Sequence, residues 1–163
     1  MAEFTGTAND ALYYTNSTLL RSRYRLPTPQ EVRAGAPVGL KRGRYVATNV
    51  IFPLLNIFVK FGPSVLQSEA ESLRFVREKL GNRVPVPEVY GWYQDSKEAI
   101  LFMDLVEGIT LQEQWPSLSR EEKEGVYQDI KGIVEALRTL RQDKGREFIG
   151  AISHGPLPEN AFK

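Results

Sequence analysis

Apolar and polar positions along the chain change period several times. Two runs, residues 44–52 (RYVATNVIF) and 55–61 (LNIFVKF), are short, β-branched and aromatic, and Pro53 splits them; they predict two strands. Leu73, Val76 and Leu80 then recur at helical spacing, predicting a helix from about Val65 to Leu80 with Ser64 as cap and Gly81 as stop. RVPVPEV is extended, because each proline pushes its predecessor out of the helical region. EVYGWYQ and EAILFMDL, joined by DSK, predict an antiparallel hairpin.

The flanks are helical. In TPQE, Thr28 caps, Pro29 fits the first turn and Glu31 reaches back, predicting a short helix that ends near Gly35. The pattern allows a helix over residues 9–25, weakened at Asn16–Thr18. TLQEQW predicts a short helical turn, and a second capping box at Ser119 and Glu122 opens a long helix. On that helix Val126, Ile130, Ile133, Val134, Leu137 and Leu140 form one apolar stripe. Residues 143–163 carry turn chemistry. Strands this few and this tightly turned exclude a doubly wound parallel sheet. The expected class is α+β, an antiparallel sheet carrying one packed helix.

Composition narrows the chemistry. The 163 residues are 42% hydrophobic and 25% charged, ordinary for a globular chain with one core. No apolar run approaches the roughly 18 residues of a membrane span, and the amino-terminus has no basic start or apolar signal core. With no cysteine there is no disulfide, thiolate zinc site or cysteine nucleophile, which fits a cytoplasmic protein. The single histidine, His154, rules out a His-rich metal centre. Net charge is +1, but Arg21, Arg23, Arg25, Arg33, Lys41, Arg42 and Arg44 crowd the first part of the chain. Such a surplus either attracts phosphates or forms a solvated face. No aromatic-basic motif or zinc module accompanies it, so nucleic acid is not an expected partner.

Lys60 stands inside the apolar run FVKF and needs a partner. Glu69 shares a helix face with Leu73, Val76 and Leu80, whereas Glu71 lies about 200° further round and points to solvent. An inward Glu69 can therefore meet Lys60. The couple is either a structural salt bridge or a fixed positive charge offered to a ligand anion. In AILFMDLVEG a buried strand leaves the sheet through Met103, Asp104 and Val106, and Gly108 breaks the chain. Such an exit either offers backbone groups to an adenine edge or simply ends the strand.

Together these features, with PVPEVYGW and LVEGITLQEQWPSLS, resemble the aminoglycoside phosphotransferase family, in particular its fungal members, over residues 26–163. The resemblance implies a protein-kinase-like amino-terminal lobe at 26–103 after an extension at 1–25, a hinge and linker at 104–117, and the start of an incomplete carboxy-terminal lobe at 118–163. It implies ATP as cofactor. Lys60 would contact the α- and β-phosphates and Glu69 would hold it. Met103 would bound the adenine pocket, and the Asp104 carbonyl and Val106 amide would pair with adenine.

The sequence also departs from the family. Gly35, Gly39 and Gly43 are spaced by four rather than as G-x-G-x-x-G, with Lys41 and Arg42 available to phosphates. The H-G-D-x-x-x-x-N loop and a later metal-holding aspartate are missing. HGPLPEN, at 154–160, is a chance echo of that loop with Pro156 in the aspartate's place; the resemblance makes the segment a connection ahead of the loop. The expectation is thus no catalytic residue in this chain, Mg²⁺ only if a second lobe supplies its ligands, and a second copy, another chain or segment 9–25 covering the Val126–Leu140 stripe. The alternative expectation is a non-catalytic kinase-like binding or interaction module.

Overall fold

A computed structural model describes residues 11–22, 24–37, 46–95 and 98–155. The elements run β1 (Ala11–Tyr13), α1 (Thr18–Arg21), α2 (Pro29–Ala34), β2 (Thr48–Phe52), β3 (Ile57–Gly62), α3 (Gln67–Leu80), β4 (Val89–Asp95), β5 (Glu98–Asp104), α4 (Leu111–Gln114) and α5 (Arg120–Leu137). The class is α+β, built on an antiparallel five-stranded sheet in the order β1-β4-β5-β3-β2.

The chain forms two compact units. The first holds the described residues up to Leu73 together with Pro87–Leu105; the second holds Arg74–Val86 and the described residues from Val106 onward. In the first, strand alternation sorts side chains to two faces. Ile57, Val59 and Phe61 of β3 share one face with Ile100 and Phe102 of β5, and Leu19, Leu26 and Val32 cover them. Leu101 and Met103 of β5 share the other face with Trp92 and Val89 of β4, covered by Val65, Ala70 and Leu73 around the start of α3. β5 is buried on both faces, which explains why it reads as a continuous apolar run rather than an alternating one.

Several expectations are met in detail. The Thr28 and Ser119 capping boxes form, with Glu31 and Glu122 returning to the cap backbone. The hairpin registers Asp95 opposite Glu98. Gly35 terminates α2 so closely against β2 that an added Cβ would lie 2.7 Å from Val50 Cγ1. A third capping box, Thr110 with Glu113, opens α4 and was readable in the same S/T-x-x-E pattern.

Others are corrected. The described residues of segment 9–25 do not form one helix: Ala11–Tyr13 adds an edge strand to β4, and among the described residues of the segment Thr18–Arg21 alone is helical. Gly91, opposite Tyr13, admits that strand, since a Cβ there would meet Leu12 O at 3.1 Å. The sheet is packed on both faces, not by one helix alone, because α1 and α2 lie on the second face. β2 begins at Thr48; Arg44 and Tyr45 lie outside the described residues. The α3 stripe divides: Leu73 packs with the sheet residues, whereas Val76 and Leu80 join Val84, Val86, Ile133, Ala136 and Leu140 in the second unit. The α5 stripe divides likewise, leaving Tyr127, Ile130, Val134 and Leu137 exposed along a neighbouring face. Among the described residues no helix is long and apolar enough to cross a membrane.

Candidate functional site

β3 delivers Lys60 to the α3 face of the sheet, opposite Leu101 and two residues from Phe58, whose partner is Met103. Glu69 lies in the first turn of α3. The ammonium donates to both carboxylate oxygens, at 2.7 and 2.9 Å, and the side chains are 31% and 34% exposed. This exposure changes the energetics expected from the sequence. A fully buried charge left alone would be strongly destabilising, but a pair in partial contact with water contributes about 1 kcal/mol or less. Fold stability is therefore a weak reason for a lysine here. Glu71 instead accepts from Gln67 on α3.

Met103 is buried beside Val89, Trp92 and Leu101 on the same face as Lys60. The structure thus brings Lys60, Glu69 and Met103 to one side of the sheet in the first unit. Asp104, the last residue of β5, follows the opposite alternation: its side chain falls on the face of Ile57 and Phe102. Val106 belongs to the second unit and is 73% exposed.

Four hydrogen bonds fix the strand exit. The Asp104 amide donates to Glu88 O at 2.8 Å, and the Leu105 amide donates to Asn56 O at 3.0 Å. Asp104 Oδ1 accepts from Asn56 Nδ2 at 2.9 Å and from the Tyr90 hydroxyl at 3.0 Å. Neither Asn56 nor Tyr90 was singled out from sequence. Asn56 sits at φ 53°, the left-handed conformation asparagine tolerates better than most residues, just after the 3₁₀ turn Pro53–Leu55. Tyr90 is the extra residue of a β-bulge, since Val89 and Gly91 pair with consecutive residues Met103 and Phe102. Its hydroxyl is held protonated to about 12, first by burial, then by donation to Asp104 and by that carboxylate's charge. Glu88 in turn accepts from the backbone and hydroxyl of Thr18 at 3.1 and 2.6 Å.

The basic surplus is partly committed inside the fold. Arg25 pairs with Glu31, and Arg33 with Asp95 and Glu98. Arg23, Lys41, Arg42, Arg44, Gly39 and Gly43 lie outside the described residues, as do residues 156–160 of the HGPLPEN echo. His154 is described, at φ 63° and stacked on Phe148 with centroids 4.2 Å apart. Among the described residues no three His, Asp or Glu side chains gather as a metal site.

No protein-family model matches the chain. No solved structure matches it either. Among curated proteins, 79 residues are 28% identical to "Altered inheritance of mitochondria protein 9, mitochondrial" of Debaryomyces hansenii. The match takes in 47% of this chain and 12% of that relative's length.

Proposed function

We propose that this chain is the ATP-side lobe of an aminoglycoside-phosphotransferase-like small-molecule kinase. The observation that carries the reading is the bidentate Lys60–Glu69 couple. It holds an ammonium at a position about one third exposed, where it adds little stability but can meet a phosphate. Met103 on the same face would bound the adenine pocket, and the Asp104 carbonyl and Val106 amide would receive the base. The chain supplies no counterpart of the aspartate loop, so phosphoryl transfer, and Mg²⁺ held by protein ligands, would require a second lobe. The acceptor substrate belongs to that lobe. The compartment proposed is the cytoplasm; the relative's name places that protein in mitochondria.

The test is thermal unfolding with and without millimolar Mg-ATP. Wild type should gain several degrees, and Lys60→Ala and Glu69→Ala should gain none. No shift in wild type overturns the reading.

The exposed row Tyr127, Ile130, Val134 and Leu137 on α5 favours a second reading, a non-catalytic interaction module. Under it, a second copy or another polypeptide covers that row. Light scattering should then show association that Ile130→Lys with Val134→Lys abolishes, while Mg-ATP leaves the melting temperature unchanged.

A further inference from the structure

We propose that Asn56 and Tyr90 are positioning residues that clamp the strand exit at Asp104 and so set the orientation of the backbone offered to a nucleobase. The role rests on the nucleotide reading above. It is argued from geometry that reading did not use.

Asp104 has two jobs on two sides of the sheet. Its side chain, on the face away from Lys60, is gripped at a single oxygen by two donors from different elements: Asn56 Nδ2 after the Pro53–Leu55 turn and Tyr90 Oη from the bulge in β4. Its backbone, with that of Leu105, is anchored to the same two neighbourhoods through Glu88 O and Asn56 O. Asn56 thus holds consecutive residues with its amide nitrogen and its carbonyl, a two-point grip that fixes rotation as well as position. Two local features of the chain serve this grip. One is a non-glycine residue in the left-handed region at Asn56. The other is the bulge in β4, which brings the Tyr90 hydroxyl to the face its carboxylate partner occupies. Both put a donor on Asp104.

The clamp extends to the amino-terminal segment. Tyr14 N donates to Tyr90 O at 3.1 Å, and Thr18 holds the Glu88 side chain, whose own carbonyl receives the Asp104 amide. Asn56, Tyr90 and Thr18 also line one cleft of about 280 Å³ on that face. Segment 11–22 therefore braces the strand exit from behind.

A positioning role predicts a selective defect. Mg-ATP carries a base and Mg-tripolyphosphate does not, so only the first reads the clamp. Tyr90→Phe and Asn56→Gly keep the ring and the backbone conformation respectively, and each should weaken Mg-ATP about 3–10-fold, the worth of one hydrogen bond. Tripolyphosphate affinity should be unchanged. Asp104→Asn, which keeps an oxygen acceptor, should bind Mg-ATP more tightly than Asp104→Ala. Hydrogen exchange of the peptide spanning 101–107 should quicken in Tyr90→Phe and Asn56→Gly while the rest of β5 stays protected. Equal loss of both probes, or unchanged Mg-ATP affinity in both variants, overturns the clamp alone. A wild type that binds neither probe overturns the nucleotide reading and the positioning role together.

Discussion

Arg33 on α2 is joined through its guanidinium to Asp95 at the end of β4, and it also reaches Glu98 at 3.5 Å across the hairpin. One cation therefore closes the two carboxylates of a turn that would otherwise repel, and fastens α2 to the end of the β4–β5 hairpin. Its 40% exposure limits the effect. Arg33→Met should cost about 1 kcal/mol in low salt and less at 1 M salt, measured by urea unfolding. The double variant with Asp95→Asn should lose less than the sum of the single losses.

Gly35 tests packing rather than charge. Its φ of −78° suits any residue, so Gly35→Ala carries no backbone strain; the obstacle is Val50 Cγ1 at 2.7 Å from the new methyl. Overpacking of this kind costs about 1–3 kcal/mol. Combining Gly35→Ala with Val50→Ala should recover part of that loss, as a lower combined destabilisation in a double-mutant cycle.

Phe102 is almost fully buried on the face covered by Leu19, Leu26 and Val32. Phe102→Ala should destabilise by about 3–5 kcal/mol. Leu54, fully exposed in the turn before Asn56, is the control: Leu54→Ala should change stability by less than about 0.5 kcal/mol in the same denaturant series.

Tyr90 and Glu31 each make stability depend on pH, in opposite directions. Tyr90 has its pKa raised, to about 12, above the ordinary 10.0, so its contribution is complete below pH 10. It declines as the unfolded phenol ionises first, between pH 10 and about 12. Tyr90→Phe should flatten that decline. Glu31 behaves oppositely: donation from Arg25, then from the Thr28 backbone and hydroxyl, lowers its carboxyl from 4.5 to about 2. Its contribution is complete above pH 4.5 and is lost as pH falls toward about 2, and Glu31→Gln should remove that acid dependence from thermal melts.

The parts of the fold that were legible in the sequence are those with a local cause. Capping boxes at Thr28 and Ser119 need four residues each, and the Val89–Asp104 hairpin announces itself by apolar runs around a polar turn. The Lys60–Glu69 couple was legible because helix periodicity turned Glu69 inward and a strand lysine had to find a carboxylate. What the sequence hid depends on distant partners. β1 has three residues and exists because Gly91 leaves room for it. The bulge at Tyr90 is marked by nothing but the neighbouring Gly91, and Asn56 reads as an ordinary turn residue until Asp104 is placed beside it. The divided stripes on α3 and α5 show the same limit, since periodicity says which residues share a face but not how many surfaces that face meets.

The edge strand has a consequence for biosynthesis. Ala11 registers with Tyr93, so β1 waits for a template that leaves the ribosome roughly eighty residues later, several seconds at ordinary elongation rates. Until then Leu12 and its neighbours have no place to dock, and the newborn chain exposes an unpaired backbone ribbon to whatever else is nearby. The β2–β3 hairpin can therefore close well before β1 finds its place beside β4.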